Sequence, residues 1–157
     1  MKLSYPILCC VVALHAPLLA TELTINATML DYPGDPAFLA FYLTDGAGKY
    51  QRTLWISGSK VKYYRHLGNW ARDSGLQKSE YDGLTGASIH SGASLSVQVN
   101  IDATLIDAGY LIRVDTAVED LAEHRIDVEI PLTTKGAGST VNGHGFIKSL
   151  SYTLQRR

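Results

Sequence analysis

Most of the chain alternates apolar and polar side chains with a period of two, and this pattern limits the fold more than any other feature. In the stretch 22–30, Leu23, Ile25 and Ala27 alternate with polar residues. A period of two places every second side chain on the same face of a β-strand, so that one face is buried and the other is solvated. Similar alternating or aromatic and β-branched runs occur at 37–45, 50–57, 94–102, 109–120, 124–132 and 146–155. The chain is therefore expected to be mainly β.

Gly, Pro and Asp residues separate these runs and indicate how the strands connect. DYPGDP (31–36) ends the first run. DGAG (45–48) predicts a hairpin between the second and third runs, because Asp and Gly tolerate the positive φ of tight turns. A Gly-rich connection at 133–145 precedes the last run. About seven short strands with turn signals between them are typical of an antiparallel, immunoglobulin-like β-sandwich.

One segment departs from the strand pattern and predicts a short helical insertion. Between residues 60 and 79 the period of two is lost. Large apolar side chains recur there at helical spacing: Tyr63, Tyr64, Leu67 and Trp70. A short amphipathic helix lying over the sheet accounts for this spacing, and Gly68 is expected to weaken it.

The first twenty residues have the composition of a secretory signal. A single charge at Lys2 is followed by an apolar stretch too short to span about 30 Å of hydrocarbon, and small Ala20 offers a cleavage site. We interpret 1–20 as a signal peptide and 21–157 as a single exported domain, periplasmic or otherwise extracytoplasmic. The alternatives are an uncleaved anchor or an N-terminal core strand. Lipid modification of Cys9 or Cys10 is disfavoured, because small residues do not precede them.

Composition excludes several classes of function. Fourteen Lys and Arg balance 15 Asp and Glu, which gives no basic patch for nucleic acid. Both cysteines lie in the signal, so the domain has no thiol nucleophile or cysteine zinc site. The histidines have no metal-binding spacing, and no hydrolase signature predicts a catalytic residue. The four histidines of the domain are His66, His90, His124 and His144. A charged stretch that contains Asp115, Glu119, Asp120 and Glu123 is interpreted as a solvated loop.

The stretch DGLTGAS, residues 82–88, is the strongest candidate for a site. It resembles the motif D-x-x-[ST]-G-A-[ST], at which flavin:protein FMN transferases esterify FMN to the last hydroxyl in exported redox proteins. The resemblance implies that Ser88 is the attachment residue, where the family more often has Thr, and that Asp82 helps to position the site in the transferase. The motif positions Thr85, Gly86 and Ala87 complete the predicted cofactor-binding set.

The residue types of this motif also make chemical sense. A hydroxyl that attacks a pyrophosphate needs an open backbone that another enzyme can approach, and Gly86 and Ala87 leave that approach unobstructed. The alternative is ordinary loop composition. A second Gly-Ala-Ser step, Ser91 to Ser94, lacks the acid of the motif and runs into an alternating strand. It is interpreted as the start of that strand, with Ser94 and Ser96 facing solvent.

The domain as a whole, from about residue 22 to residue 154, resembles a family of predicted periplasmic proteins of unknown function. The similarity is carried by RTLWIS, YYRHLGNWARDS, DGLTGAS, GYLIRVDTAVED and SLSYTL. It implies neighbouring PepSY-type membrane proteins and flavin transferases, in settings linked to iron and extracytoplasmic electron transfer.

Three functions follow as hypotheses. The first is an exported redox module with covalent FMN that relays electrons between a membrane reductase and a periplasmic acceptor, in iron reduction or uptake. The second is a binding or accessory domain without a cofactor. The third, a metal-binding chaperone, lacks the ligand spacing.

Several aromatic side chains near the motif are candidates either for flanking a flavin ring or for core packing. These are Trp55, Tyr63, Tyr64, Trp70 and Tyr81.

Overall fold

The computed structural model describes residues 20–156. Nine strands lie within this range. They are β1 (Ala20–Met29), β2 (Phe38–Thr44), β3 (Tyr50–Ser57), β4 (Thr85–Gly86), β5 (Ser94–Asp102), β6 (Leu111–Val118), β7 (Ala122–Pro131), β8 (Thr140–Val141) and β9 (Ile147–Arg156). The predicted signal falls outside the described residues, apart from Ala20, which begins β1.

The strands form two sheets, with the order β5-β1-β9-β8 in one and β4-β3-β2-β6-β7 in the other. Every pairing is antiparallel except that of β3 with the two-residue β4. The predicted mainly β sandwich with a short helix is confirmed. The predicted hairpin is also confirmed, since β2 pairs with β3 and Asp45 accepts the backbone N–H of Gly48 in the turn. In an immunoglobulin domain the second and third strands lie in opposite sheets, whereas here they are neighbours.

The main core lies between the two sheets, because the apolar residues of the alternating strands point toward each other. Each sheet contributes fully buried side chains, such as Leu23 and Ile25 from β1 and Phe41 from β2. The two-residue period therefore determines which side of each strand faces the core.

A second, smaller core covers the outer face of the five-stranded sheet. Strand β2 is buried on both faces, which explains why its sequence FLAFYLT has no polar residue before the final Thr44. Leu39, Phe41 and Leu43 face the sandwich, while Phe38 and Tyr42 pack against the helical segment. From that segment, the buried Tyr64, Leu67 and Trp70 complete the second core.

The helical segment is broken into short pieces, not the single helix expected. A 3₁₀ segment (Val61–His66) is followed by α1 (Gly68–Ser74) and by a second 3₁₀ segment (Lys78–Glu80). Leu67, with φ −85° and ψ 74°, leaves the helical conformation between the first two. Gly68 begins α1, where an added Cβ would lie 2.6 Å from Nε of Arg125. The break brings Leu67 and Trp70 onto the sheet together, so packing overrides local helix propensity.

The prediction of a solvated loop is wrong for Asp115. Glu119, Asp120 and Glu123 are exposed, but Asp115 is fully buried within β6. Its carboxylate accepts hydrogen bonds from the hydroxyl of Tyr42 (3.0 Å), the backbone N–H of Trp70 (2.8 Å) and a third backbone N–H. A buried charge needs such partners. Asp115 therefore ties the helical layer to the sheet.

Asp127, in the alternating run of β7, is also fully buried. It accepts a hydrogen bond from the hydroxyl of Thr116 (2.7 Å) and others from backbone N–H groups at the end of the Gly-rich connection and directly after it, including those of Gly145 (2.8 Å) and Phe146 (2.7 Å). A Cβ at Gly145 would lie 2.7 Å from its carboxylate. Asp127 thus fixes the loop that precedes β9.

Candidate functional site

The motif runs along the free side of β3, as the last short strand of the five-stranded sheet. The backbone N–H of Ile56 donates to the carbonyl of Leu84 (2.8 Å), and that of Gly58 donates to the carbonyl of Gly86 (2.8 Å). Beyond the motif, Ile89 exchanges two backbone hydrogen bonds with Ala37. The segment is therefore anchored on both sides of Ser88, and it is less free than an exposed loop.

Gly86 is required by close packing and not by its backbone angles. A Cβ at this position would lie 2.7 Å from Cζ2 of Trp55, whose ring covers the glycine. Next to it, the hydroxyl of Ser57 donates to the carbonyl of Ala87. Trp55 is thus a packing partner of the motif, while Gly83 provides its turn with a positive φ of 76°.

Ser88 is half-buried and lines a cavity of about 220 Å³. A neighbouring cavity of about 470 Å³ shares Phe38, Tyr63 and Glu119 with it. We call the two together the Tyr63 groove. Its remaining lining residues are Asp35, Pro36, Ser59, Lys60, Arg65, His66, Ala117, Val118, Asp120, Leu121, Ala122 and Glu123.

The wall between the two cavities is aromatic and held in place. The ring of Tyr63 lies 5.2 Å from that of Phe38 at a tilt of 56°. Its hydroxyl donates to Oε1 of Glu119 (2.6 Å), and the Lys62 ammonium lies 4.6 Å from the ring centroid. A tethered ring beside an opening is a suitable surface for a flat ligand.

The two ends of the Tyr63 groove differ in chemistry. At the end near Ser88, the exposed Lys60 provides a positive charge in the cavity that Asp35 also lines. At the other end, Nδ1 of His66 lies 2.5 Å from Oε1 of Glu123, and Nε of Arg65 donates to the His66 ring (3.3 Å). The groove therefore has cations at both ends and acids along its rim.

The structure brings only part of the predicted site together. Among residues 20–156, Ser88 is the motif position that lines the groove, while Asp82, Thr85 and Ala87 are exposed on the outer edge. Of the aromatic candidates, Tyr63 lines the groove and Tyr64 and Trp70 are buried in the second core. Tyr81 packs edge-on against Tyr64 with centroids 5.2 Å apart.

Sequence reasoning missed Phe38, Lys60 and Glu119 as groove residues. They lie 22 or more positions from one another in the chain and meet only through the packing of β2, the helical segment and the β6–β7 turn. The continuous apolar run of β2 was the one available signal, since it indicated that Phe38 faces a second layer.

The second Gly-Ala-Ser step begins β5, as predicted. Ser94 is the first residue of that strand, and its hydroxyl lies 3.0 Å from that of Thr28. Ser94 and Ser96 are exposed, which confirms their predicted direction. In the described part of the chain, no group of three or more His, Cys, Asp or Glu side chains is arranged to hold a metal ion.

Fold and site together define a two-sheet β-sandwich with a ligand-sized groove on one outer face. The model of a family described as predicted periplasmic proteins, DUF2271, matches residues 20–149. The chain belongs to this family, and its localisation is periplasmic, as its sequence predicted. Searches of curated proteins and of solved structures found no match. Over residues 20–156, no helix has the length and apolar character needed to cross a membrane.

Proposed function

We propose that the protein is an exported electron-transfer module that carries FMN esterified to the hydroxyl of Ser88. It would relay electrons between a PepSY-type membrane reductase and a periplasmic acceptor such as ferric iron. The observation that supports this proposal is the position of Ser88, since this last residue of a stretch that resembles a flavin-attachment motif lines an aromatic-walled groove.

The groove fits such a group in size and chemistry. Its larger cavity, at about 470 Å³, lies within the usual range of roughly 300–1,000 Å³ for small-molecule sites, and the cavity lined by Ser88 adds about 220 Å³ next to it. Tyr63 and Phe38 offer apolar ring surface for the isoalloxazine, and Lys60 lines the same cavity as Ser88, where the phosphate would be attached. When bound, the flavin supplies the redox chemistry of the site.

A flavin:protein FMN transferase would attach the group by transferring the FMN phosphoryl from a flavin dinucleotide to the serine. The Ser88 oxygen attacks the FMN-side phosphorus of a flavin dinucleotide, the new O–P bond forms and the bridging P–O bond breaks. AMP leaves, and the serine proton passes to a base of the transferase. Because β4 is the last strand of its sheet, one side of the motif is open to this enzyme.

The chain's own residues then perform binding and positioning. Tyr63, fixed by Glu119, holds one face of the groove, while Arg65 places a cationic guanidinium at its far end. A cation there favours a ligand that gains negative charge on reduction. A covalent tether also prevents loss of the ligand outside the cytoplasm.

The mass of the intact protein tests the proposal. Coexpression with a flavin transferase in an exporting host is expected to add the mass of one FMN minus one water. Ser88→Ala should abolish this gain, whereas the matched variant Ser94→Ala in the second Gly-Ala-Ser step should retain it. Urea unfolding of both variants establishes that they are folded.

An unchanged mass contradicts the proposal if the same transferase modifies a second substrate protein in the same cells. That outcome would favour the binding or accessory domain without cofactor. Ser88→Thr supplies a further check, because it restores the residue more usual in the motif and should accept the flavin.

A further inference from the structure

Within residues 20–156, three of the four sheet edges carry features that hinder pairing with another strand. Strands β4 and β8 are only two residues long, and the parts of β3 and β9 that they leave open contain the charged residues Arg52 and Lys148. Strand β7 carries charged side chains, ends at Pro131 and contains Ile126 with a positive φ of 49°, which interrupts its register. Short length, charge, proline and bulges are the usual devices that prevent edge-to-edge association.

The fourth edge, β5, has none of these devices before its last residue, Asp102. It runs for nine residues from Ser94 to Asp102 and pairs with β1 in an unbroken register. No charged residue and no proline occurs between 94 and 101. Leu95 and Val99 remain half-buried at this edge, although Val97 and Ile101 are buried. The edge thus leaves apolar surface that a further strand would cover.

The register shows which backbone groups are free for pairing. The N–H of Met29 donates to the carbonyl of Ala93 at 2.9 Å, one position before the pairing of Thr28 with Ser94. Hydrogen-bonded pairs alternate along an antiparallel ladder. The backbone groups of Leu95, Val97, Val99 and Ile101 therefore point toward β1. Those of Ser94, Ser96, Gln98 and Asn100 point away from the sheet.

We propose that β5 pairs with β5 of a second copy of this chain across a twofold axis, which joins two four-stranded sheets into one of eight strands. A twofold pairing requires a strand that complements itself, because residue i contacts residue j and j contacts i. With the axis at Gln98, Ser96 lies opposite Asn100 of the other copy, and Gln98 lies opposite its own equivalent. These side chains are exposed and uncharged, so no like charges meet.

Sedimentation equilibrium of the exported chain tests this inference, independently of any flavin. Wild-type protein is expected to shift from monomer to dimer as its concentration rises from about 1 μM to about 1 mM. Gln98→Lys places two like charges opposite each other and should weaken the dimer by about tenfold or more. Thr153→Lys adds the same charge to β9, away from the edge, and should have no effect. An equimolar mixture of Gln98→Lys and Gln98→Glu should restore pairing.

Amide hydrogen exchange provides a second readout. Amides of Ser96 and Gln98 should become protected only as the dimer forms, while those of Val97 and Val99 are protected at every concentration. A protein that stays monomeric at about 1 mM overturns the proposal. The proposal is also overturned if Gln98→Lys and Thr153→Lys weaken the dimer equally. Protection that appears only when a different protein is added identifies that protein as the occupant and also overturns self-pairing.

Discussion

Gly86 lies directly under the ring of Trp55, so the motif position that the sequence marks as permissive is in fact tightly packed. An alanine Cβ would lie 2.7 Å from a ring carbon. Overpacking of this kind typically costs about 1–3 kcal/mol. Gly86→Ala is therefore expected to lower the free energy of unfolding by that amount in urea titrations. Thr85→Ala, at an exposed neighbouring position, should change it by less than about 0.5 kcal/mol.

Equal stability of Gly86→Ala and wild type would mean that the tryptophan ring moves aside at no cost. In that case the lack of a side chain at residue 86 matters only for access by another enzyme, as the motif alone suggests.

Asp127 shows where the two-residue period fails at a single position. The alternation of Ile126, Val128 and Ile130 predicts that Asp127 faces solvent, yet it is fully buried. The positive φ of Ile126 breaks the ladder, and the carboxylate then meets the backbone N–H groups of the following connection. A sequence pattern cannot show this, because the partners lie 18 and 19 residues away.

Among the elements, the helical layer depends on one carboxylate. Oδ1 of Asp115 accepts from Tyr42 and Ile126, and Oδ2 accepts from the backbone N–H of Trp70. Asp115→Asn replaces one carboxylate oxygen by an NH₂ group, which then faces an N–H or O–H donor instead of accepting from it. The variant should be less stable by about 1–3 kcal/mol. Hydrogen exchange should show that amides of α1 lose protection more than those of β1.

The exposed Asp120 supplies the matched control. Its backbone has a positive φ of 58°, and Asn tolerates this conformation as well as Asp does. Asp120→Asn should leave both stability and exchange unchanged. Uniform loss of protection across both sheets in Asp115→Asn would contradict a local role in docking the helical layer.

Most elements were predictable, because the alternation of apolar and polar residues in a sandwich strand shows which of its faces is buried. The alternating runs gave β1, β5 and β9 nearly at their observed bounds. The helical segment was located but its break at Leu67 was not, since that break depends on fitting Tyr64 and Trp70 onto the sheet. Strands β4 and β8 were missed, because two residues carry no period.

For the molecule as a whole, buried tyrosines make stability sensitive to alkaline pH. Burial, and then the adjacent Asp115 carboxylate, raise the pKa of Tyr42 well above its usual value. Burial and a hydrogen bond to Glu80 likewise raise the pKa of Tyr50. Below about pH 10 these phenols are protonated in both states, and their contribution is constant.

Above about pH 10 the unfolded chain ionises first, so stability should fall as pH rises, by up to about 1.4 kcal/mol per pH unit for Tyr42. Tyr42→Phe loses the hydrogen bond to Asp115 and starts less stable, but its alkaline slope should be shallower. Urea midpoints measured from about pH 8 to 12 provide the check. An unchanged slope in Tyr42→Phe would show that the phenol ionises equally in both states.

The sequence by itself determined the β class, most strand positions and the location of a hydroxyl-bearing motif, because periodicity and short motifs are local properties of the chain. Only the tertiary structure decided that Ser88 opens beside Tyr63 and Phe38, that Asp115 and Asp127 are buried, and that β5 is left as an unprotected edge. These features depend on which distant segments pack together. Packing of that kind is set by the shape of the whole core, which no single stretch of residues encodes.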